Sequence, residues 1–355
     1  MTSTVLKSQI RRLAFRAGVL AECHRFINAN RLTVVMFHRV LPPQDSRWSG
    51  ADPEYTLSNQ LFAAAIGFLR HHYSIVSLGD LFGSLEGHGL PSHPLLITLD
   101  DGWADTAEYA LPELSTHALP AVVFVTAAVV GREEAFWQES LYAAWRAGHI
   151  TVGQLAERAA RFREPTQRIE TFDDTEESLR RCIAALAAIP AEMRDPIVGS
   201  LGLVREGPAQ MLNRDQLRLL ASSRVAVGVH GYSHEPLTEV DAMDELTRAR
   251  TRLQEFLPDT QRAGLRALSF PHGRYDAAVL EAATSAGYRL MFTSEPVLTP
   301  LSAAHALTTR VLGRIDVPAS AITRPDGEFS PDRAASWLFF RSSRHLPPLS
   351  EVRGK

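Results

Sequence analysis

The feature that most constrains the fold is a repeated pattern in which an apolar, β-prone run ends in polar residues and a turn. It is clearest at residues 95–105, LLITLDDGWAD, and recurs at residues 32–38, 225–234 and 267–272. Helical stretches, such as 60–72 and 107–117, separate these runs. Strands that alternate with helices predict a parallel sheet or barrel, with the polar strand ends gathered at one edge. The sequence therefore predicts an α/β barrel with its chemistry at the carboxyl ends of the strands.

Segments outside this pattern define the predicted domain organisation. Residues 1–31 read as a basic amphipathic helix, and residues 32–320 as the barrel with a helical insertion at about 136–213. Within the insertion, TFDDT at 171–175 imitates the earlier TLDDG, but no β-prone run precedes it. Asp173 and Asp174 are therefore predicted to cap a helix. Residues 321–355 form a predicted C-terminal tail that is poorly ordered at its end.

Composition excludes several functional classes. The 355 residues are 45% hydrophobic and 22% charged, with a net charge of −3 that offers no global attraction to nucleic acid. Cys23 and Cys182 are the only cysteines, which suits a reducing compartment and rules out a thiolate zinc cluster. No apolar run is long enough to span a bilayer, and arginines interrupt the N-terminal segment where a secretory signal needs an apolar core. We therefore expect a cytoplasmic protein.

The adjacent carboxylates Asp100 and Asp101 have two interpretations. Either one caps the helix that follows, with Gly102 in the turn, or the two form a metal and acid/base site at a strand end. Burying two neighbouring carboxylates is costly unless a cation or several donors hold them. The residues of this stretch leave both interpretations open.

Two histidines supply the partners that a metal site would need. His230 and His234 lie four residues apart after an apolar run, a spacing that brings both imidazoles to one atom if the residues between them make a helical turn. A cation such as Zn²⁺ favours imidazole, and one carboxylate would complete a three-ligand catalytic site. The second carboxylate would then be available as a general base.

In this order and spacing, LLITLDDGWAD, VGVHGYSHEPL and LSFPHGRYD resemble the first three motifs of the polysaccharide deacetylases, the NodB-homology family (carbohydrate esterase family 4). VVMFHRV, FWQESL and GRIDV are similar to segments of the bacterial branch that acts in envelope and exopolysaccharide synthesis. The resemblance covers roughly residues 31–317. It implies a NodB-type distorted (β/α)7 barrel.

The resemblance also implies residue roles. Asp100 corresponds to the general base, and Asp101, His230 and His234 to the ligands of a divalent metal, which we expect to be Zn²⁺. Since adjacent side chains of a strand point in opposite directions, the chain must turn here, which Gly102 permits. Further substrate or oxyanion contacts are predicted at Pro271, His272, Arg274, Arg314 and Trp103, with the backbone N–H of His272 as the oxyanion donor.

Two departures from the family pattern raise specific questions. The third motif commonly has arginine two residues before its proline and tyrosine after it, whereas this chain has Ser269 and His272. Arg314 or Arg274 could replace that arginine. The usual Leu-x-His motif of the general acid is also missing, which leaves His38, at a predicted strand end, and His305 as candidates.

The function that follows is metal-dependent removal of N-acetyl groups from an amino sugar of a polysaccharide, glycolipid or lipid-linked glycan precursor. An O-acetyl esterase or a non-sugar amidohydrolase would use the same site, and a non-catalytic sugar-binding barrel is a further alternative. The expected partners are an acetylated glycan and a divalent cation, and no nucleic acid.

Residues 1–31 suggest a further partner. Leu6, Ile10 and Leu13 fall at helical spacing with Ala17 and Leu20, and six basic residues against Glu22 alone give the segment a net +5. One interpretation is peripheral contact with the inner face of a membrane. The other is a helix that packs its apolar stripe on the barrel. The sequence does not decide between them.

Overall fold

The computed structural model describes residues 3–160, 173–203 and 208–346. The chain divides into two compact units, each described here by itself. The first comprises Met1–Leu41, Glu54–Gly131 and Met211–Lys355, and the second comprises Pro42–Pro53 and Arg132–Gln210. In the described residues no helix combines the length and apolar character needed to cross a bilayer.

Twelve strands and fourteen α-helices are found in the described residues. The strands are β1 (Arg31–Phe37), β2 (Arg39–Val40), β3 (Thr56–Leu57), β4 (Ser74–Ile75), β5 (Pro94–Leu99), β6 (Ala121–Val125), β7 (Val225–Val229), β8 (Ala267–Ser269), β9 (Leu290–Phe292), β10 (Thr299–Pro300), β11 (Val311–Leu312) and β12 (Ile315–Asp316). The helices are α1 (Ser3–Arg16), α2 (Val19–Ile27), α3 (Asn59–His72), α4 (Leu78–Leu85), α5 (Leu111–Thr116), α6 (Trp137–Arg146), α7 (Val152–Ala160), α8 (Glu176–Ala187), α9 (Ala191–Gly199), α10 (Arg214–Ser222), α11 (Ala242–Phe256), α12 (Ala277–Ser285), α13 (Ala319–Ile322) and α14 (Pro331–Phe339).

The first unit is built on a sheet that curls into a nearly closed barrel. Strands β1, β5, β6, β7, β8, β9 and β11 lie side by side in parallel. The edges meet through the short segment that contains β11 and β12. Val311 and Leu312 pair with β9, while Ile315 and Asp316 pair with β1. One bent segment thus joins the last strand position to the first, as a (β/α)7 barrel requires.

Side-chain alternation along the strands separates the barrel interior from its helical coat. On β5, Leu95, Ile97 and Leu99 belong to a buried cluster that also contains residues of α3, α11 and α12. Leu96 belongs to a second cluster that lines the interior, where it meets Phe124 and residues of α4. Because side chains alternate with a period of two, Thr98 and then Asp100 continue the inward series of Leu96.

Gly313 lies at the bend where the barrel closes, and its missing side chain matters. A Cβ atom built there would lie 2.5 Å from Cγ2 of Val297 and 2.6 Å from the carbonyl oxygen of Glu295. Two backbone segments thus approach each other where a methyl group has no room. The bend also places Arg314, the next residue, with its side chain in the barrel.

Helices α1 and α2 are attached to the barrel through α14. The Nε–H of Arg11 donates to Oδ2 of Asp332 at 2.6 Å. On α2, the buried ring of His24 stacks on Phe339, with centroids 4.1 Å apart, and Asn28 donates to the Phe339 carbonyl at 2.8 Å. These contacts fix both helices to the predicted C-terminal tail. That tail is described as far as Leu346, which is buried. Residues 347–355, on which the prediction of poor order falls, lie outside the described residues.

The second unit has a small helical core of its own. Helices α6, α7, α8 and α9 enclose a buried cluster whose members include Leu141, Leu155 and Leu179. The prediction that Asp173 and Asp174 cap α8 is wrong. Thr175 is its N-cap and accepts a hydrogen bond from the backbone of Ser178, while Asp174 accepts from the indole of Trp145 and from the first N–H of α7. Thr175 caps α8 because it directly precedes the first helical residue, whereas Asp174 lies one position further away.

We predict that Gly313→Ala lowers the free energy of unfolding by about 1–3 kcal/mol, because the added methyl group overpacks the closure of the barrel. Urea denaturation measures this change. Gly67→Ala is the matched control. It adds the same group in mid-helix on α3, where nothing lies within 4 Å, and should be neutral or stabilising by about 0.5–1 kcal/mol. Equal effects of the two substitutions would contradict the assigned role of Gly313.

Candidate active site

The site residues come from separate strands and meet at one end of the barrel. Asp100 and Asp101 follow β5, and His230 follows β7. Ser269 ends β8, and Arg314 lies between β11 and β12. Because parallel strands all point the same way, their carboxyl ends gather these side chains at one edge of the sheet. The structure therefore brings together residues that lie more than 200 positions apart.

Backbone turns allow two neighbouring aspartates to face the same site. The predicted turn is present, and it begins at Asp101 itself, whose φ of 78° is left-handed, before Gly102 at 90°. A left-handed φ is uncommon outside glycine, although aspartate tolerates it better than most residues. Neither carboxylate serves as the simple helix cap that one interpretation of the sequence proposed, since both bond side chains from other strands or loops.

Asp101, His230 and His234 form a compact group of three possible ligands. Oδ1 of Asp101 lies 3.3 Å from Nε2 of His230 and 3.3 Å from Nε2 of His234. The candidate ligand atoms all lie within 4.8 Å of one another. The Nδ1–H of His230 donates to the Ser269 carbonyl at 2.9 Å, which leaves its Nε2 lone pair directed at the group.

This arrangement fits a divalent cation. Tetrahedral ligands about 2.1 Å from a zinc ion lie about 3.4 Å from one another. The two short distances in this group match that spacing. Two imidazoles and one carboxylate also form a donor set typical of catalytic zinc, in which a fourth position stays open. The three residues could therefore hold such an ion.

The loop between the two histidines differs from the sequence expectation. Residues 231–234 are not helical, and Gly231 and His234 both adopt left-handed φ values, 71° and 75°. Glu245 of α11 holds the loop instead. Its Oε1 accepts from the backbone N–H groups of Tyr232 and Ser233 and from the Ser233 hydroxyl, at 2.9, 2.5 and 2.7 Å. The buried carboxylate of Glu245, and not a helical turn, thus holds the loop between the two histidines.

Glu245→Ala should lower the free energy of unfolding by about 2–3 kcal/mol, because three hydrogen-bond donors near the site lose a charged acceptor. Urea denaturation measures the change. Glu255→Ala on the same helix is the matched control. It removes an exposed carboxylate that pairs with Arg252 at the surface and should change stability by less than about 0.5 kcal/mol. Indistinguishable variants would show that Glu245 does not support the loop.

Asp100 is held by Arg314, a buried arginine in the segment that closes the barrel. Nη1 and Nη2 of Arg314 donate to Oδ1 and Oδ2 of Asp100 at 2.7 and 2.8 Å, and Ser269 Oγ lies 2.8 Å from Nη2. Both charged side chains are almost fully buried. The family pattern has an arginine at position 269. Here the small serine leaves space for Arg314 and hydrogen-bonds it, whereas Arg274 lies at the surface and pairs with Glu239.

The charges around the aspartates set their protonation. Burial alone would raise the pKa of Asp100, but the Arg314 guanidinium and His230 outweigh it and hold that pKa below its usual value. Burial acts likewise on Asp101, but the adjacent imidazoles of His230 and His234 outweigh it and hold the pKa of Asp101 well below the ordinary range. Both carboxylates are therefore ionised at neutral pH.

Trp103 is a buried neighbour of the aspartate pair. Its indole N–H donates to Oδ2 of Asp101 at 2.9 Å, and the side chain is buried. The Arg39 guanidinium lies 4.2 Å from the Trp103 ring centroid and pairs with the buried Asp105. This hydrogen bond orients the aspartate, and the substrate contact of Trp103 stays a prediction. The same packing ties Asp105 of the first motif to the segment that follows His38.

The loop after β8 covers one side of the histidines. His272 has a φ of 55°, and its Nε2–H donates to the His234 carbonyl at 3.0 Å. Although the side chain of His272 is exposed at its edge, crowding by the surrounding loops and the nearby charges of His234 and His230 lower its pKa. Pro271 is buried and its side chain lies close to Gly231. A neutral imidazole thus locks this loop to the loop of the two histidines.

The two candidate acids lie at opposite ends of the barrel. His38 follows β1, is half-buried, and lies near enough to Asp100 and Asp101 for its charge to lower the pKa of each. Its ring contacts Tyr55, with centroids 5.0 Å apart. His305 instead lies at the amino ends of the strands, where its carbonyl accepts from Leu90, four residues before β5.

Comparison with known proteins finds one protein family and several solved structures that are similar to this chain. The family model described as polysaccharide deacetylase matches residues 88–291. Streptococcus pyogenes deacetylase PplD in complex with acetate is 16% identical, over 87% of this chain and 98% of that chain, with a TM-score of 0.54. BA0330 from Bacillus anthracis is 12% identical over 87% and 69%, with a TM-score of 0.52. IcaB from Ammonifex degensii is 19% identical over 87% and 97%, with a TM-score of 0.48. No curated protein matches.

The family match extends over more than half of the chain and includes the aspartate pair, both histidines and the loop after β8. The chain therefore belongs to the polysaccharide deacetylase family. At identities this low the likeness to the solved structures concerns the fold alone. It confirms the NodB-type (β/α) barrel that the sequence predicted.

Proposed function

We propose that this protein is a metal-dependent N-deacetylase that hydrolyses the acetamido group of an amino sugar in a polysaccharide, glycolipid or lipid-linked glycan precursor. The observation that carries the proposal is that two adjacent, ionised aspartates have different partners. Asp101 faces two imidazoles at 3.3 Å, while Asp100 is held by Arg314 and stays outside that group. A hydrolase that activates water needs this separation of ligand from base.

A divalent cation, with Zn²⁺ as the proposed ion, would be held by Asp101, His230 and His234 and would polarise the acetyl oxygen and acidify water. Asp100 then accepts the proton of the attacking water. Its Oδ2 lies 4.0 Å from Nε2 of His230, so this oxygen faces the space in front of the ligand group. Arg314 and Ser269 keep the carboxylate ionised and aligned for that transfer.

The remaining steps fall to residues on either side of the aspartates. The backbone N–H of His272 is the proposed donor to the oxygen that gains charge during attack, since left-handed residues there hold the loop against His234. His38 is the proposed acid that protonates the departing sugar nitrogen. Acetate and a free amine are the products.

Incubation with N-acetylglucosamine oligomers and, separately, with O-acetylated glycans tests the proposal by mass spectrometry. The wild type should release acetate and leave a free amine on the N-acetylated substrates. Asp100→Asn should lower kcat by about 10²-fold or more, the scale of a general base, while elemental analysis finds its metal retained. Asp101→Asn should lose the metal. Thermal unfolding of each variant checks that the barrel has folded.

Three outcomes would contradict this assignment. Release of acetate from O-acetylated glycans alone would make the protein an esterase. Full activity of Asp100→Asn would remove the base from the mechanism. Stoichiometric metal in a variant with alanine at positions 101, 230 and 234 would place the ion elsewhere.

The proton donor is tested by His38→Ala, which should lower kcat and remove the alkaline limb of the pH-rate profile, because that limb reports the acid. His305→Ala is the matched control and should leave both unchanged, since His305 lies at the other end of the barrel. Small and equal effects of the two substitutions would return the role to another group.

A further inference from the structure

Helix α1 is attached to the barrel by one face and leaves an apolar face uncovered. Arg11 on the attached face pairs with Asp332, and Phe15 is half-buried against the main core. Leu6, Ile10 and Leu13 lie on the opposite side and are 52%, 57% and 65% exposed. The spacing of four and three residues places the three side chains in a single stripe. Leu6, Ile10 and Leu13 therefore do not pack on the barrel, whereas Leu20, which the sequence placed in the same stripe, packs against the main core.

Helix α2, the next helix along the chain, also exposes apolar side chains. Val19, Phe26 and Ile27 of α2 are also exposed, and Phe26 is 84% exposed. Six of the eleven large apolar side chains that are exposed in the described residues thus lie between positions 6 and 27. Single exposed apolar residues are ordinary, but a concentration of this kind marks an interaction surface.

Basic side chains flank the stripe. Lys7 is exposed on one side of it and Arg12 and Arg16 on the other, while Arg25 of α2 pairs with Glu22, the only acidic residue of the segment. Residues 1–31 carry a net +5 in a chain whose total is −3. A net positive charge therefore coincides with the exposed apolar side chains of this segment.

We propose that this face of α1 and α2 binds the surface of an anionic lipid bilayer, with Leu6, Ile10 and Leu13 entering the boundary between headgroups and acyl chains. Amphipathic helices bind such surfaces reversibly when an exposed apolar stripe enters the membrane partway and basic residues lie on either side of it. A second copy of the chain is a poorer occupant. A two-fold contact through this face would bring the arginines of both copies together. This inference does not depend on the proposed catalytic activity.

Co-sedimentation of the full chain with phosphatidylcholine vesicles, with and without phosphatidylglycerol, tests the proposal. Binding should require the anionic lipid and should fall several-fold as salt rises from about 0.05 M to about 0.5 M, since salt screens the basic residues. Ile10→Asp with Leu13→Asp should weaken binding by about tenfold or more. Arg12→Ala with Arg16→Ala should weaken it by about tenfold as well.

Each pair of substitutions has a matched control on the first unit. Leu219→Asp with Met243→Asp changes two exposed apolar residues elsewhere, and Arg224→Ala with Arg310→Ala removes the same charge elsewhere. Both controls should bind like the wild type. The proposal is overturned if the wild type does not bind anionic vesicles, or if the controls lose binding equally. It is also overturned if light scattering shows a dimer that Ile10→Asp with Leu13→Asp dissociates and that does not bind vesicles.

Discussion

The rest of the structure depends on the buried ion pair between Arg314 and Asp100. Removing either partner would leave a charge in the barrel interior, a loss on the scale of about 3–5 kcal/mol in other proteins. The ion pair has two effects on the structure. It fixes the segment that carries β11 and β12 between β9 and β1, and it keeps Asp100 ionised. The same ion pair thus closes the barrel and keeps the carboxylate charged.

The surrounding residues hold the other groups in place by directed contacts. Trp103 and the Ser269 carbonyl fix Asp101 and His230, and Glu245 fixes the loop that ends at His234. Asp101, His234 and His272 are all left-handed, a conformation that costs roughly 1–3 kcal/mol at a non-glycine residue. Such strain persists only where neighbouring contacts overdetermine the backbone. Here the contacts are the ones that align possible metal ligands.

Some of this arrangement could be predicted from the sequence. Because strand ends converge in a parallel barrel, the polar residues after each apolar run could be assigned to one site, and the missing arginine at position 269 directed attention to Arg314. Glu245 could not be found, since an acidic residue in AMDELTRARTR looks like an ordinary exposed position. The conformation of residues 230–234 was equally hidden, because the spacing of two histidines does not reveal a left-handed backbone. The uncovered face of α1 depends on its attachment to α14, which no local pattern encodes.

The pairing of β1 with β12 has a consequence for how the chain folds. Residue 35 pairs with residue 315, so one edge of β1 has no partner until a segment 280 positions later in the chain has been made. The entropic cost of closing so long a loop grows only slowly with its length, but contacts of this separation make folding slow. Until they form, β1 presents an unpaired apolar edge of the kind that joins strands from other molecules. The barrel is therefore prone to aggregation until β12 pairs with β1. The short segment that carries β11 and β12 covers the edge that would otherwise pair with another molecule.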